Sequence, residues 1–247
     1  MGDVLVFCYH ALSPTWEADL SVTPEQFERQ VTHLLRRGWR AVTFIEAALN
    51  PPARQTLAIT FDDAFASVKE YAAPILADRG VPATVFAPTA FTSSASPLSW
   101  PGIDHWRSTR HAGELAAMQW NDLAELADGG WEIGSHTRTH PRLTQLDDER
   151  LAVELGESRD ECTRRLGRPC QTIAYPYGDV DERVADAARL VGYRAGAALS
   201  SSLVRLGPYR YPRIGVYHCD VAWRFGLKAT RGMRELRASK LSSPLAY

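Results

Sequence analysis

Apolar residues in this chain fall into short β-branched runs, separated by longer stretches with helical spacing. Val4 to Cys8 is one such run, unbroken by polar positions, as in a strand buried on both faces. After Thr23-Pro24, the residues Phe27, Val31, Leu34 and Leu35 recur at the period of a helix with one buried side. Thr23 suits the N-cap, Pro24 the first helical position, Gln26 the capping box, and Gly38 the stop. The alternation continues. Further strands are predicted at 39–44, 56–61, 82–87, 131–134, 172–175, 193–198 and 213–216. Further helices are predicted over 68–78, 121–128, 147–166, 181–191 and 222–236. Residues 92–113, rich in Ser, Pro, Gly, Trp and His, read as a long loop. One domain is expected over 1–240, with a flexible tail at 241–247.

Strands alternating with helices imply an α/β fold with a mostly parallel sheet or barrel. Ligand sites in such folds lie beyond the C-terminal ends of the strands. The polar motifs sit there: His10, Asp62-Asp63, His136 to His140 and Pro176-Tyr177-Gly178 each follow an expected strand.

Composition narrows the classes. The 28 basic and 29 acidic residues balance to −1, which gives no electrostatic basis for nucleic acid or an anionic membrane. No apolar run approaches the roughly 20 residues that span a bilayer, so no transmembrane segment is expected. The N-terminus has neither a basic n-region nor a long apolar h-region. A cytoplasmic setting is therefore expected, with a secreted protein whose leader has been removed as the alternative. Cys8, Cys162, Cys170 and Cys219 are scattered without a CxxC and are expected as free thiols; a Cys162–Cys170 pair stays open. Oligomeric state leaves no mark in the sequence.

Two motifs carry the chemistry. In ITFDDA, residues 59–64, adjacent carboxylates follow a buried strand. Burying either is costly unless it is paired or binds a metal; a helix cap is the plainer role for one of them. In GSHTRTHP, residues 134–141, His136 and His140 are four apart, which aligns their rings if the segment makes a helical turn. Two unrelated surface histidines are the alternative. Together the motifs supply one carboxylate and two imidazoles, a common catalytic zinc set with an open position. The second aspartate is then free to act as a base.

TFDD at 60–63, SHTRTH at 135–140 and YPYG at 175–178 occur in the order of the polysaccharide deacetylase signature. The chain resembles that family, also called the NodB-homology or carbohydrate esterase family 4 domain. The resemblance implies a distorted (β/α) barrel and a hydrolase removing N-acetyl groups from an amino sugar, a metal-bound water attacking the amide. It implies Asp63, His136 and His140 as ligands of one divalent metal ion, zinc by default with iron, cobalt or nickel also suited. Asp62 would be the base, and Tyr177 would offer its backbone N–H to the oxyanion. Pro176 and Gly178 would shape that turn.

Two family features are missing. No arginine precedes YPYG, and Arg213 is expected to pair with Asp62 instead. No Leu-x-His motif occurs near the C-terminus. FCYHALSP resembles the branch that deacetylates poly-N-acetylglucosamine, which makes His10 the favoured general acid and His218 the alternative. Trp100, Trp106 and Pro176 are candidate substrate contacts, Trp120 is expected in the core, and no metal role is assigned to His105 or His111. The expected partner is an acetylated oligo- or polysaccharide or glycoconjugate. A small N-acetylated metabolite, a sugar nucleotide, an O-acetyl ester, or sugar binding without catalysis are the alternatives.

Overall fold

A computed structural model describes residues 2–94, 96–199, 203 and 206–238. The chain begins with β1 (Asp3–Tyr9), a two-strand ladder of β2 (Ala11–Leu12) and β3 (Ser21–Val22), and α1 (Pro24–Arg36). Next come β4 (Arg40–Val42), α2 (Phe44–Leu49), β5 (Gln55–Phe61), a π-helical turn over Val68–Ala72, and α3 (Ala73–Ala77). They are followed by β6 (Thr84–Ala87), α4 (Thr89–Ser94), α5 (Trp120–Asp128), β7 (Glu132–Ser135) and α6 (Asp148–Leu166). The chain continues through β8 (Thr172–Ala174), α7 (Glu182–Leu190) and β9 (Ala195–Ala198). It closes with β10 (Tyr211–Pro212), β11 (Ile214–Gly215), α8 (Ala222–Ala229) and α9 (Arg231–Ala238).

Nine strands form one all-parallel sheet in the order β10-β9-β8-β7-β6-β5-β1-β11, with β4 also on β5. The two ends of that order belong to one extended segment. Tyr211 and Pro212 pair with Ala197 and Ala198 on one side. Ile214 and Gly215 pair with Phe7 and Cys8 on the other. Arg213 N–H donates to Ala198 O at 3.2 Å, and Val216 N–H to Cys8 O at 2.9 Å. The sheet thus closes into a barrel whose seam is residues 211–216. Distortion arises at β5, where β4 pairs Thr56 to Ala58 and β6 pairs Thr60 and Phe61. The expected distorted (β/α) barrel is the fold found.

Local differences have local causes. The run at 39–44 is strand only over Arg40–Val42. Thr43 N–H donates to the Glu46 carboxylate at 3.0 Å, a capping box that starts α2 at Phe44. The helix expected over 68–78 opens as a π turn. Pro74 lies within it and has no N–H to give the preceding turn. The expected loop at 92–113 holds the end of α4 and a 3-10 turn at Asp104–Ser108, and its Leu98, Trp100 and Ile103 are buried. The helix at 222–236 breaks where Thr230 is extended (ψ 140°), giving α8 and α9. Trp120 packs half-buried at the rim of the core, its indole N–H donating to Ser93 Oγ at 2.8 Å. The four cysteines are free thiols. Among the described residues no helix is long and apolar enough to cross a membrane. Residues 241–247 lie outside the described residues.

Candidate active site

The seam and four strand ends meet at one mouth of the barrel. His10 follows β1, Asp62 and Asp63 follow β5, and His136 and His140 follow β7. Pro176 to Gly178 follow β8, and Arg213 sits between β10 and β11.

Asp63 Oδ1 lies 3.2 Å from His136 Nε2 and 3.3 Å from His140 Nε2, with all three side chains buried. The contacts are close but poorly aligned: the oxygen has no hydrogen-bond partner among the described residues. His136 Nδ1 is 2.8 Å from Ala174 O, which can only accept, so Nδ1 carries a proton. In the neutral ring Nε2 then points a lone pair at a carboxylate oxygen. Two facing lone pairs in a buried site need a cation between them. The donor set and its orientation fit a divalent metal ion. Burial pushes the His136 pKa down, but the Asp62 and Asp63 charges outweigh it and raise it overall. Burial likewise works against an ionised Asp63, and the two imidazoles nonetheless hold its pKa far below the usual carboxylate range.

Asp62 faces the other way. Arg213 Nη1 and Nη2 donate to its Oδ1 and Oδ2, each at 2.7 Å, in a bidentate pair. Arg213 is fully buried, and its Nη1 also donates to Thr60 Oγ1 at 3.0 Å. Cys8 Sγ donates to Asp62 Oδ2 at 3.4 Å. Burial would raise the Asp62 pKa; Arg213 overrides it and brings it down to about 2.

His10 is buried beside this pair, with ligating atoms of Cys8, His10 and Asp62 within 4.8 Å of one another. Burial lowers its pKa, and the charges of Asp63 and Asp62 only partly oppose that. His218 is half-buried, and its backbone N–H donates to Asp19 O at 2.9 Å. Asp62, Asp63 and Arg213 all act on the His10 pKa.

The backbone here is strained. Among the described residues, five other than glycine have positive φ: Asp63 (69°), Ala64 (53°), Thr137 (65°), His140 (63°) and Tyr177 (60°). All lie at the mouth, and three of them are sequence-derived site residues. Each such conformation costs about 1–2 kcal/mol, so the surroundings must enforce it. The helical turn that would align His136 and His140 is not formed; residues 136–141 are irregular because Thr137 and His140 are left-handed. Tyr177 N–H has no acceptor among the described residues and is free for an oxyanion. A β-carbon on Gly178 would overlap Leu199 O, so that turn requires glycine.

The aromatic candidates divide. Trp100 is 6% exposed and stacks on the His140 ring at 3.9 Å between centroids, with Phe91 edge-on at 5.4 Å. Buried against the imidazole, it braces His140 rather than offering a sugar platform. Trp106 is half-buried, edge-on to Trp16 at 5.6 Å and flanked by His105 and His111. Pro176 is buried. Tyr177, absent from the sequence-based substrate contacts, exposes 37% of its surface and lies edge-on to His140 at 4.8 Å, with Arg142 over its ring. Ring type alone could not separate a free face from a covered one.

Known proteins match this arrangement. The polysaccharide deacetylase family profile matches residues 49–196. YxkH of Bacillus subtilis, which carries the polysaccharide deacetylase name, is 26% identical over 196 residues, 77% of this chain and 62% of YxkH. The chain thus spans less than two thirds of that relative. The poly-beta-1,6-N-acetyl-D-glucosamine N-deacetylase of Staphylococcus aureus is 24% identical over 249 residues, covering 93% of this chain and 78% of that protein. Among solved structures, the Streptococcus pyogenes deacetylase PplD superposes with a TM-score of 0.75 at 22% identity, over 91% of this chain and 97% of its own. IcaB of Ammonifex degensii does so at 0.70 and 20%, over 97% and 98%. At these identities the structures speak for the fold. The profile match spans more than half of the chain and includes both aspartates, both histidines and the YPYG turn, so the chain belongs to the polysaccharide deacetylase family.

Proposed function

We propose that this protein is a metal-dependent N-deacetylase of an acetylated amino-sugar oligomer or polymer. One observation carries the reading: of two adjacent buried aspartates, one is clamped by an arginine and the other faces two imidazoles. The S. aureus relative, named for a β-1,6-linked N-acetylglucosamine polymer, supports the substrate class. The intact set argues against a sugar-binding module without catalysis.

A divalent ion held by Asp63, His136 and His140 would polarise the acetyl carbonyl and acidify the attacking water. Zinc suits these ligands, as do iron, cobalt and nickel. Asp62 takes the water proton as the O–C bond forms. With a pKa near 2 it is a weak base, but it is always ionised and its orientation is fixed by Arg213. Tyr177 N–H donates to the carbonyl oxygen as negative charge develops there. His10, buried next to Asp62, takes over the proton that Asp62 accepted and passes it to the amine nitrogen as the C–N bond breaks. Acetic acid and a free amine leave, so one water hydrogen ends on nitrogen and the other departs with the acid, which then ionises.

The test is acetate release from β-1,6-linked N-acetylglucosamine oligomers, chitooligosaccharides and N-acetylated sugar nucleotides. Release from an oligomer, abolished by chelator and restored by added zinc or cobalt, is the expected result. No release from any of them, or release indifferent to chelator, would sink the reading. His10→Ala should lower kcat by about 10²–10⁴-fold while His218→Ala stays near wild type. The opposite ranking would transfer the acid role to His218.

A further inference from the structure

The loop presenting His136 and His140 is irregular, yet its backbone donors are accounted for one by one. His136 N–H donates to Ala87 O at 2.8 Å, Thr137 N–H to Ser135 Oγ at 3.0 Å, and His140 N–H to Thr137 Oγ1 at 3.1 Å. On the carbonyl side, Thr89 N–H and Ala90 N–H of α4 donate to Thr137 O and Arg138 O at 3.1 and 3.0 Å. Two donors remain, Arg138 N–H and Thr139 N–H. Both converge on Glu154 Oε2, at 2.9 Å each, and the Thr139 hydroxyl donates to Glu154 Oε1 at 2.6 Å.

Glu154 is an unusual residue for its place. It lies on the buried face of α6 with Leu151, Leu155, Ser158 and Cys162, and is 9% exposed. It makes no ion pair among the described residues; the Arg138 side chain goes to Glu157 instead. A buried carboxylate without a counter-ion is tolerated only when hydrogen bonds replace its hydration. Here all three bonds come from the two residues centred between the histidines. One turn further along α6, Ser158 Oγ lies 2.8 Å from Ser135 Oγ and anchors the start of the same loop. Thr137 and His140 are both left-handed, so the turn needs an external hold.

We propose that Glu154 is a positioning residue for the metal site. By fixing the turn at 137–140 it sets His140 Nε2 against His136 Nε2 and Asp63 Oδ1. It touches neither substrate nor ligand atoms and acts through the backbone between the two histidines. The inference rests on the reading of Asp63, His136 and His140 as metal ligands.

The test measures metal binding directly, on the full chain, by competing Zn²⁺ or Co²⁺ against a chromophoric chelator. The visible Co²⁺ spectrum reports ligand geometry. Glu154→Ala should raise the metal Kd by about 10- to 100-fold, the range for residues that orient metal ligands from behind. Glu154→Gln keeps an acceptor oxygen for the two N–H groups and should fall between wild type and Ala. Glu154→Asp keeps the charge but withdraws it by one methylene, and should bind weakly with an altered Co²⁺ spectrum. If the Ala variant fails to fold, Gln and Asp carry the comparison, with metal-free thermal melts showing which variants are folded. Unchanged affinity and an unchanged Co²⁺ spectrum in the folded Asp variant would overturn the inference alone, even if the melt had dropped. A wild-type protein that binds neither ion would overturn the metal-site reading and this inference with it.

Discussion

Asp62→Asn is expected to lower kcat for acetate release by about 10²–10⁴-fold, the usual worth of a positioned base. Metal content should stay at the wild-type level, because the carboxylate that faces the two imidazoles is that of Asp63. The amide keeps the shape of the side chain but cannot take a proton. Normal turnover in this variant would remove Asp62 from the chemistry. The same substitution has a pH signature in stability. The folded-state pKa of Asp62 is about 2, below the ordinary 3.8, so its stabilising contribution is present above about pH 4 and is lost as pH falls through 2. The lowering corresponds to about 2 kcal/mol. The urea midpoints of wild type and Asp62→Asn should therefore converge as pH drops from about 5 to 2. A gap that widens toward low pH would contradict the assigned shift.

Arg213→Met is expected to be the most destabilising single change at the site, by about 3–5 kcal/mol. Methionine fills much of the volume but leaves the Asp62 carboxylate buried without its counter-ion. The Asp62 pKa should then rise, because burial is the largest influence on it and acts upward. Turnover should fall as well, since the base loses both ionisation and orientation. Asp62→Asn/Arg213→Met should recover part of the lost stability, which a double-mutant cycle in denaturant reads out directly. Independent, additive effects would mean that the bidentate pair is energetically idle.

The clustering of Asp63, His136 and His140 was legible because each follows an expected strand and together they make a plausible donor set for a metal. The Asp62–Arg213 pairing was reached by a different route: the family resemblance implies an arginine on that aspartate, the segment before YPYG has none, and the strand at 213–216 offers one. The backbone conformations at the site were not legible. Asp63, Ala64, Thr137, His140 and Tyr177 take left-handed backbone without being glycine, and such positions leave no compositional mark. The histidine spacing suggested a helical turn, whereas the rings converge through a strained loop held by α4 and α6. Glu154 did leave a trace, as a charged residue in phase with Leu151 and Leu155 on one helix face. Periodicity marks such a residue as anomalous, but its partners lie elsewhere in the chain. Trp100 illustrates the converse, since its type suggested sugar and its packing gives it to His140. The boundary at Thr43 was missed because a capping box inside an apolar run decides it, and that at Thr230 because the break is a single extended residue between two helical segments.

The barrel seam bears on how the protein is made. Asp62 and the arginine that neutralises it are 151 residues apart. At about 5–20 residues per second, the ribosome delivers Arg213 roughly 8 to 30 seconds after Asp62. During that interval the carboxylate has no counter-ion and stays in water, so the strand carrying it cannot be sealed inside. Closure is then among the last steps of folding, after residues 211–216 have emerged. A nascent chain stalled before that point holds Asp63, His136 and His140 and still has an open barrel, exposing strand edges to chaperones and to neighbouring chains.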